Sequence, residues 1–242
     1  MPVKSERNTP TLEVLLPGES GTLPLHALAV DQVLQCRPVR TFRWHRGQRH
    51  FPGWYWSATD GTHVTYESRL ELARLVLADF DPRVRAIRSQ PFRLTYLDAD
   101  GRTRRHVPDF ALVHHDDSIR IVNVKPADRL TDATIRAVLD GAHAVLESCG
   151  IDTEIWSGEH PLVMANIAFL SAYRNPRLFD TNEVEEMRAV MRRGMTIEEA
   201  ESAAARAGVS NPRPILLHLV WGHRANVDLM KPLQPDSRLE AS

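Results

Sequence analysis

One stretch of the chain sets residues with hydrolytic chemistry close together. In RRHVPDFALVHHDDSIRIVNVKP (Arg104–Pro126), two short apolar runs flank a polar turn. Asp109 opens the first run, and Asn123 and Lys125 close the second, one residue apart. In a strand, alternate residues share a face, so Asn123 and Lys125 point the same way. A hairpin about the turn returns Asp109 to their neighbourhood. With the turn on Asp116-Asp117, Asp109 falls opposite Val124, which is the wrong face. A three-residue loop or a bulge is therefore required. If it is met, the groups suit phosphodiester hydrolysis. That reaction needs a divalent ion to polarise the phosphate and lower the pKa of an attacking water. A carboxylate and an amide oxygen are hard donors that suit magnesium. A lysine beside them orients the water and offsets charge on the phosphoryl oxygens. A second carboxylate is needed, and the preceding helix offers Glu67 and Glu71.

The elements that must position these groups are partly readable. Tyr66–Phe80 holds good helix formers and stops at Asp81-Pro82. Leu70, Ala73 and Leu77 share one face, with Leu72 and Val76 beside it. Glu67, Glu71 and Arg74 line the opposite face, where Glu71 can simply pair with Arg74 in solvent. Three strands are expected next: Pro91–Asp98, which runs into Asp100-Gly101, then His106–His114, then Ile119–Lys125. Thr131–Gly150 reads as a long amphipathic helix and Asp152–Gly158 as a strand. The crossover is long enough to return that strand in parallel. The order predicts a mixed α/β core.

Beyond about Asn175, helix signals crowd: Val184–Arg193, Ile197–Ala207 with a Thr196–Glu199 capping box, and Pro214–Trp221, then a strand at Ala225–Leu229. Three short helices and a ribbon suggest a winged-helix-like α domain. Its third helix, PILLHLVW, is apolar on nearly every side, and such a helix is buried in a core or a protein interface. A DNA-reading helix carries polar and basic side chains, so this domain reads as a partner-docking module. The expected divisions are an N-terminal extension at 1–60, a core at 61–172 and the docking domain at 173–242. Within the extension, RTFRWHRGQRHFPGWYWS (Arg40–Ser57) interleaves basic and aromatic residues about a hairpin turn. Arg40, Arg43, Arg46, Arg49 and Trp54 are candidate DNA contacts; the alternative is that Trp54, Tyr55 and Trp56 close the core. HHDD at 114–117 reads as a solvated turn tip, and His218 and His223 as structural or exposed.

Composition bounds the rest. With 43% hydrophobic and 25% charged residues, the 242-residue chain has material for a real core. The net charge of −1 confines any nucleic-acid surface to local patches. Cys36 and Cys149 have no metal or redox spacing, the start lacks an apolar signal core, and no apolar run spans a bilayer. The expectation is a cytoplasmic protein with no membrane partner.

The motif order carries a resemblance. PDF at 108–110 and NVKP at 123–126 resemble the PD-(D/E)xK nuclease motif. SRLELARLVLADFDPRVRAIRSQPFRL (Ser68–Leu94) resembles the matching stretch of the TnsA family, the endonuclease subunits of heteromeric transposases. That family carries its helix acid in an S-x-L-E setting, and Gln90 fits a glutamine near its first strand. The resemblance spans about residues 60–160. It implies a restriction-endonuclease-like core, Mg2+ as cofactor with Mn2+ as a substitute, and cleavage of one DNA strand at each transposon end. It implies a partner transposase that cuts the other strand and an AAA+ ATPase regulator. Glu71 then matches the helix acid, with Glu67 one turn earlier as the fallback. Asp109 matches the central metal ligand and Lys125 the catalytic lysine. The metal-binding positions are Glu71, Asp109 and Val124. Asn123 stands where the family's Gln-x-Lys-Pro has glutamine, and keeps the amide oxygen on a side chain one methylene shorter. Two other readings keep the nuclease fold: a catalytically weak DNA-binding or assembly subunit, favoured by Asn123, and a stand-alone nuclease of repair or defence.

Overall fold

The structure is a computed structural model in which residues 9–40 and 51–240 are described. The chain divides into two compact units. One comprises Met1–Ala78 with Arg83–Gly158, the other Asp79–Pro82 with Glu159–Ser242.

The first unit is built on two four-stranded sheets and a ribbon. The first sheet has the order β2-β1-β6-β7, from β1 (Thr11–Leu16), β2 (Glu19–Pro24), β6 (Arg93–Leu97) and β7 (Thr103–His106). The second has the order β10-β9-β8-β5, from β5 (Val84–Ser89), β8 (Phe110–His114), β9 (Ile119–Val124) and β10 (Asp152–Trp156). The ribbon pairs β3 (Gly53–Ser57) with β4 (Thr62–Tyr66). Helices α1 (Val30–Gln35), α2 (Arg69–Phe80) and α3 (Ala133–Glu147) complete the unit. One apolar cluster ties the two sheets to α1 and α3. It includes Leu12, Val33, Phe92, Leu94, Val113, Ile121, Ala142 and Leu146.

The β9-α3-β10 crossover forms as its length and amphipathic pattern require. β10 lies parallel to β9, with Ile155 beside Asn123. Asp132 caps α3 by accepting from the Thr134 and Ile135 N–H groups. The β8–β9 hairpin meets the demand made of it. His114 N–H donates to Ser118 O at 3.0 Å and Asp117 adopts φ +64°, so residues 115–117 form a three-residue loop. Phe110 therefore faces Val122. Asp109 N–H donates to that same Val122 O at 3.1 Å. Two residues are thus set against one, as in a β-bulge.

Several expectations need correction. Residues 11–24 are not an extension: β1 pairs with β6 and adds two strands to the first sheet. Two short strands rich in arginine, β5 and β7, escaped the sequence reading. Tyr66 ends a strand rather than starting a helix, and α2 begins only after Ser68. The polar face expected for α2 is not solvated at Arg74, which is 8% exposed. Its guanidinium grips Glu154 of β10 through both oxygens, at 3.1 and 2.8 Å, instead of pairing with Glu71. Leu75, Val76 and Ala78 are the buried apolar residues of α2, and Leu70, Ala73 and Leu77 are half-buried.

The second unit starts at Glu159, earlier than the expected boundary. It contains α4 (Pro161–Leu170), α5 (Thr181–Val190), α6 (Ile197–Arg206) and α7 (Pro212–Trp221). The Thr196–Glu199 capping box forms in full. The expected strand at Ala225–Leu229 does not: Asn226 makes a single bridge to Glu240, and Thr196 another to Arg238. On α7, Ile215, Leu216, Leu217, Leu219, Val220 and Trp221 are all buried within this unit. Of the two places expected for such an apolar helix, a core or a protein interface, α7 occupies the core of this unit. His218 Nδ1 donates to Tyr173 O and its ring stacks on Phe179, and His223 Nε2 donates to Phe80 O, both structural roles.

Removing the Glu154 carboxylate strands the Arg74 charge in a buried place. Glu154→Ala should destabilise the protein by roughly 3 kcal/mol, while Asp140→Ala, which breaks the exposed Arg136 pair, should change little. Urea unfolding of both variants checks this.

Candidate active site

The hairpin register decides what meets at its open end. The Asp109 Oδ2 accepts the Val124 N–H at 2.6 Å and lies 3.9 Å from Lys125 Nζ. Gln90 N–H donates to Asp109 O at 2.9 Å, which fixes the residue from the β5 side. Lys125 is anchored through its own N–H to Trp156 O of β10. Burial raises the Asp109 pKa above the usual carboxylate value. The Lys125 ammonium and the Val124 N–H oppose that shift, as does Arg40, and Glu67 adds to it. Val124 has an apolar side chain and gives its N–H to Asp109, so only its main-chain oxygen is left for a metal.

Glu71 reaches the site from the start of α2. Ser68 Oγ accepts the Glu71 N–H at 3.1 Å and donates its own proton to Glu71 Oε1 at 3.0 Å. Glu71 Oε2 accepts the Glu67 N–H at 2.8 Å. The S-x-L-E sequence is thus a helix cap as well as an acid. Burial and then the charge of Asp109 push the Glu71 pKa up to about 7, against the effect of those hydrogen bonds. Glu67 lies close enough to Asp109 and Glu71 for its charge to raise both of their pKa values. Its Oε1 accepts Gln90 Nε2 at 2.6 Å and its Oε2 lies 4.0 Å from Arg40 Nη1.

Asn123 does not face Asp109 with a free amide. It is 1% exposed. Its Oδ1 lies 2.7 Å from His106 Nε2 and its Nδ2 lies 2.8 Å from His143 Nε2. The amide satisfies both rings when His106 Nε2 carries a proton to donate to Oδ1 and His143 Nε2 is unprotonated and accepts from Nδ2. Burial first, then the charges of Lys125, His143 and Arg40, depress His106 to about 4, although Asn123 favours its protonated form. Burial also lowers the His143 pKa. The expected metal-ligand role of Asn123 therefore meets an amide oxygen already engaged. Neither histidine was singled out from sequence. They sit on β7 and α3, and nothing local marks them.

Of the candidate DNA contacts, Arg40 lies at the site beside Glu67, and Arg43, Arg46 and Arg49 lie outside the described residues. Trp54 is 72% exposed on β3 while its neighbour Tyr55 is buried. The ribbon turns one aromatic outward and buries its neighbour. The HHDD tip is exposed at 115–117, as expected of a turn.

A magnesium ion suits this donor set. Asp109, Glu67 and Glu71 offer hard oxygen atoms, and Gln90 Oε1 is a buried acceptor without a hydrogen-bond partner. Among the described residues no three His, Cys, Asp or Glu side chains are gathered closely enough to hold a metal unaided. Mg2+ is commonly held by one or two carboxylates plus water and substrate phosphate, so that is no obstacle.

A mixed α/β fold with acids and a lysine gathered at one end of a strand ladder is compatible with a nuclease. Residues 81–158 match the family model described as TnsA-like endonuclease N terminal, which supports a TnsA-like nuclease over that segment. The segment is about a third of the chain. It contains Gln90, His106, Asp109, Asn123, Lys125 and His143, and leaves out Glu67 and Glu71. No curated protein matches the chain.

Two outcomes follow from this geometry. Asn123→Ala leaves two buried imidazoles short of a partner. It should lower stability by about 2 kcal/mol and leave the magnesium dependence of any cleavage unchanged; a shifted metal titration at unchanged stability would instead make Asn123 a ligand. The second concerns pH. A folded-state pKa of about 7 against the ordinary 4.5 means that Glu71 favours the folded state below 4.5. That contribution is lost as pH rises through 7. His106, with its folded pKa near 4 against 6.5, acts oppositely: its contribution is present above 6.5 and lost as pH falls through 4. In metal-free buffer Glu71→Gln should therefore gain stability over wild type steadily from pH 4.5 to 7, read from urea midpoints across that range.

Proposed function

We propose that this protein is a magnesium-dependent DNA endonuclease subunit, TnsA-like, that hydrolyses one strand at transposon ends. It would act beside a partner transposase and under an AAA+ ATPase. The observation that carries this reading is the Asp109–Lys125 pair, 3.9 Å apart inside the segment that matches the TnsA-like family. Asp109 and Glu71 would hold the cation, with the Val124 main-chain oxygen and Glu67 as further donors. When bound, the cation polarises the scissile phosphate and makes a bound water acidic. Lys125, close to Asp109 and partly open to solvent, donates to the attacking water or to a phosphoryl oxygen where negative charge develops. The β8–β9 ladder holds Asp109 and Lys125 in place before substrate arrives, so no reorganisation is needed at that step.

A second reading has its own support. Asn123 is locked between His106 and His143 where the resembling family has a glutamine. That favours an assembly subunit which keeps the nuclease fold with weak catalysis.

The test is nicking of transposon-end DNA by the full chain with its partner transposase, titrated with Mg2+ and Mn2+. Asp109→Ala should abolish nicking. Lys125→Ala should slow it by about 10²–10³-fold, with little change in the urea midpoint of either variant. Mn2+ should support cleavage at lower concentration than Mg2+, since nitrogen and oxygen sites generally bind it more tightly. No nicking by wild type under either metal would leave the assembly reading standing.

A further inference from the structure

Gln90 closes β5 with three unusual features. It is one of three non-glycine residues among those described with a positive φ, at +45°. It is 4% exposed. Its Oε1 is buried without a hydrogen-bond partner, the one such side-chain atom among the described residues. The amide cannot simply turn round to cure this. Nε2 donates to Glu67 Oε1 at 2.6 Å, and exchanging the two atoms would set an oxygen against a carboxylate.

The main chain of Gln90 is fully used. Its N–H donates to Asp109 O at 2.9 Å, and its carbonyl accepts Val39 N–H at 3.0 Å, one residue before Arg40. One residue therefore ties the carrier of the central acid, the segment leading to Arg40, and the Glu67 carboxylate. A left-handed backbone in a buried non-glycine residue persists only where the surroundings over-determine it, and such strain gathers at functional sites. A buried acceptor with no partner is likewise uncommon and points to a group that joins it. Both features fall at the same position as the candidate acids.

We propose that Gln90 is a positioning residue of the candidate active site: its Nε2 holds the Glu67 carboxylate, and its free Oε1 accepts a hydrogen bond from a water of the hydrated cation. This rests on the metal-dependent reading above. A hydrated divalent ion carries water whose protons need acceptors, and an amide oxygen serves without adding charge. Glu67, fixed from one side by Gln90, keeps its second oxygen toward Arg40.

The test is Mn2+ affinity of the full chain, measured by calorimetry without DNA, alongside metal-free urea unfolding. Gln90→Met keeps the length of the side chain and the same backbone strain, and removes both polar atoms. A residue with only a structural role would weaken the fold when changed. Here the metal-free midpoint should change little, because removing the unpartnered buried acceptor offsets the lost bond to the partly exposed Glu67 carboxylate. Mn2+ binding should weaken by about tenfold or more. Glu67→Ala should weaken it too, and adding Gln90→Met to Glu67→Ala should cost less than it does alone, since the two act through one contact. Wild-type Mn2+ affinity in Gln90→Met, with binding lost in Asp109→Ala, would overturn the role of Gln90 and spare the metal site. Undiminished binding in Asp109→Ala would remove the metal-dependent reading and this proposal together. If Gln90→Met does not fold, Gln90→Glu takes its place: a second carboxylate beside Glu67 should tighten Mn2+ binding, and unchanged affinity would count against the proposal.

Discussion

A three-residue turn sets the register on which the site depends. Had the β8–β9 hairpin turned on two residues, Asp109 would lie opposite Val124, and its carboxylate would point away from Lys125. One extra loop residue reverses that along the ladder, because side chains alternate with period two, and the two-against-one step at Val122 shifts the alternation once more at Asp109, so loop and bulge together decide where its carboxylate lies. The turn is held by its own polar groups. Asp116 accepts from the Ser118 N–H and hydroxyl, and Asp117 takes the left-handed conformation that aspartate tolerates. Residues with no part in chemistry, at the exposed tip, thus determine which groups meet at the far end. The second irregularity, two residues set against Val122, turns Asp109 so that it reaches Val124 N–H rather than continuing the strand.

The open end of the ladder then gathers more polar groups than an apolar core tolerates. Buried acids and buried imidazoles respond in opposite directions: Glu71 and Asp109 hold their protons more tightly, and His106 and His143 release theirs. Both responses lower the local charge, as expected where solvation is poor. The charges of Glu71 and Asp109 oppose one another, and Lys125, 3.9 Å from Asp109 and partly exposed, lowers the Asp109 pKa without cancelling the rise that burial gives it.

Legibility in the sequence followed the range of the interactions. The α3 crossover, the α6 capping box and the order of Asp109, Asn123 and Lys125 are local patterns, and they were readable. The pairing of β1 with β6 joins residues some eighty positions apart, and no local signal carries it. Arg74 looked like a solvated residue because its partner, Glu154, lies on another element. β5 was missed because arginines interrupt its apolar alternation, and β7, Thr-Arg-Arg-His, has no apolar residue to show one; long side chains can lay their stems along a sheet and keep the head in a polar place. The same limit explains the site. The motif indicated which residues converge, but not that Asn123 would be claimed by His106 and His143 from two other elements.

Two residues of the motif carry structural duties, and the duties differ in what they leave free. Glu71 caps its helix through Ser68 and the Glu67 N–H. Each of its oxygens accepts one hydrogen bond, and a carboxylate oxygen has a second lone pair. Capping therefore fixes the rotamer and still permits coordination; it orients the acid at no loss of donor capacity. Asn123 is constrained otherwise. Its amide oxygen faces His106 and its nitrogen faces His143, in a place with 1% exposure. A cation at that oxygen would have to share it with an imidazole held by burial, at a site with little room to move. The longer glutamine of the resembling family would not fit this bridge at the same length. The asparagine is better matched to joining β7, β9 and α3 than to presenting its oxygen to a ligand.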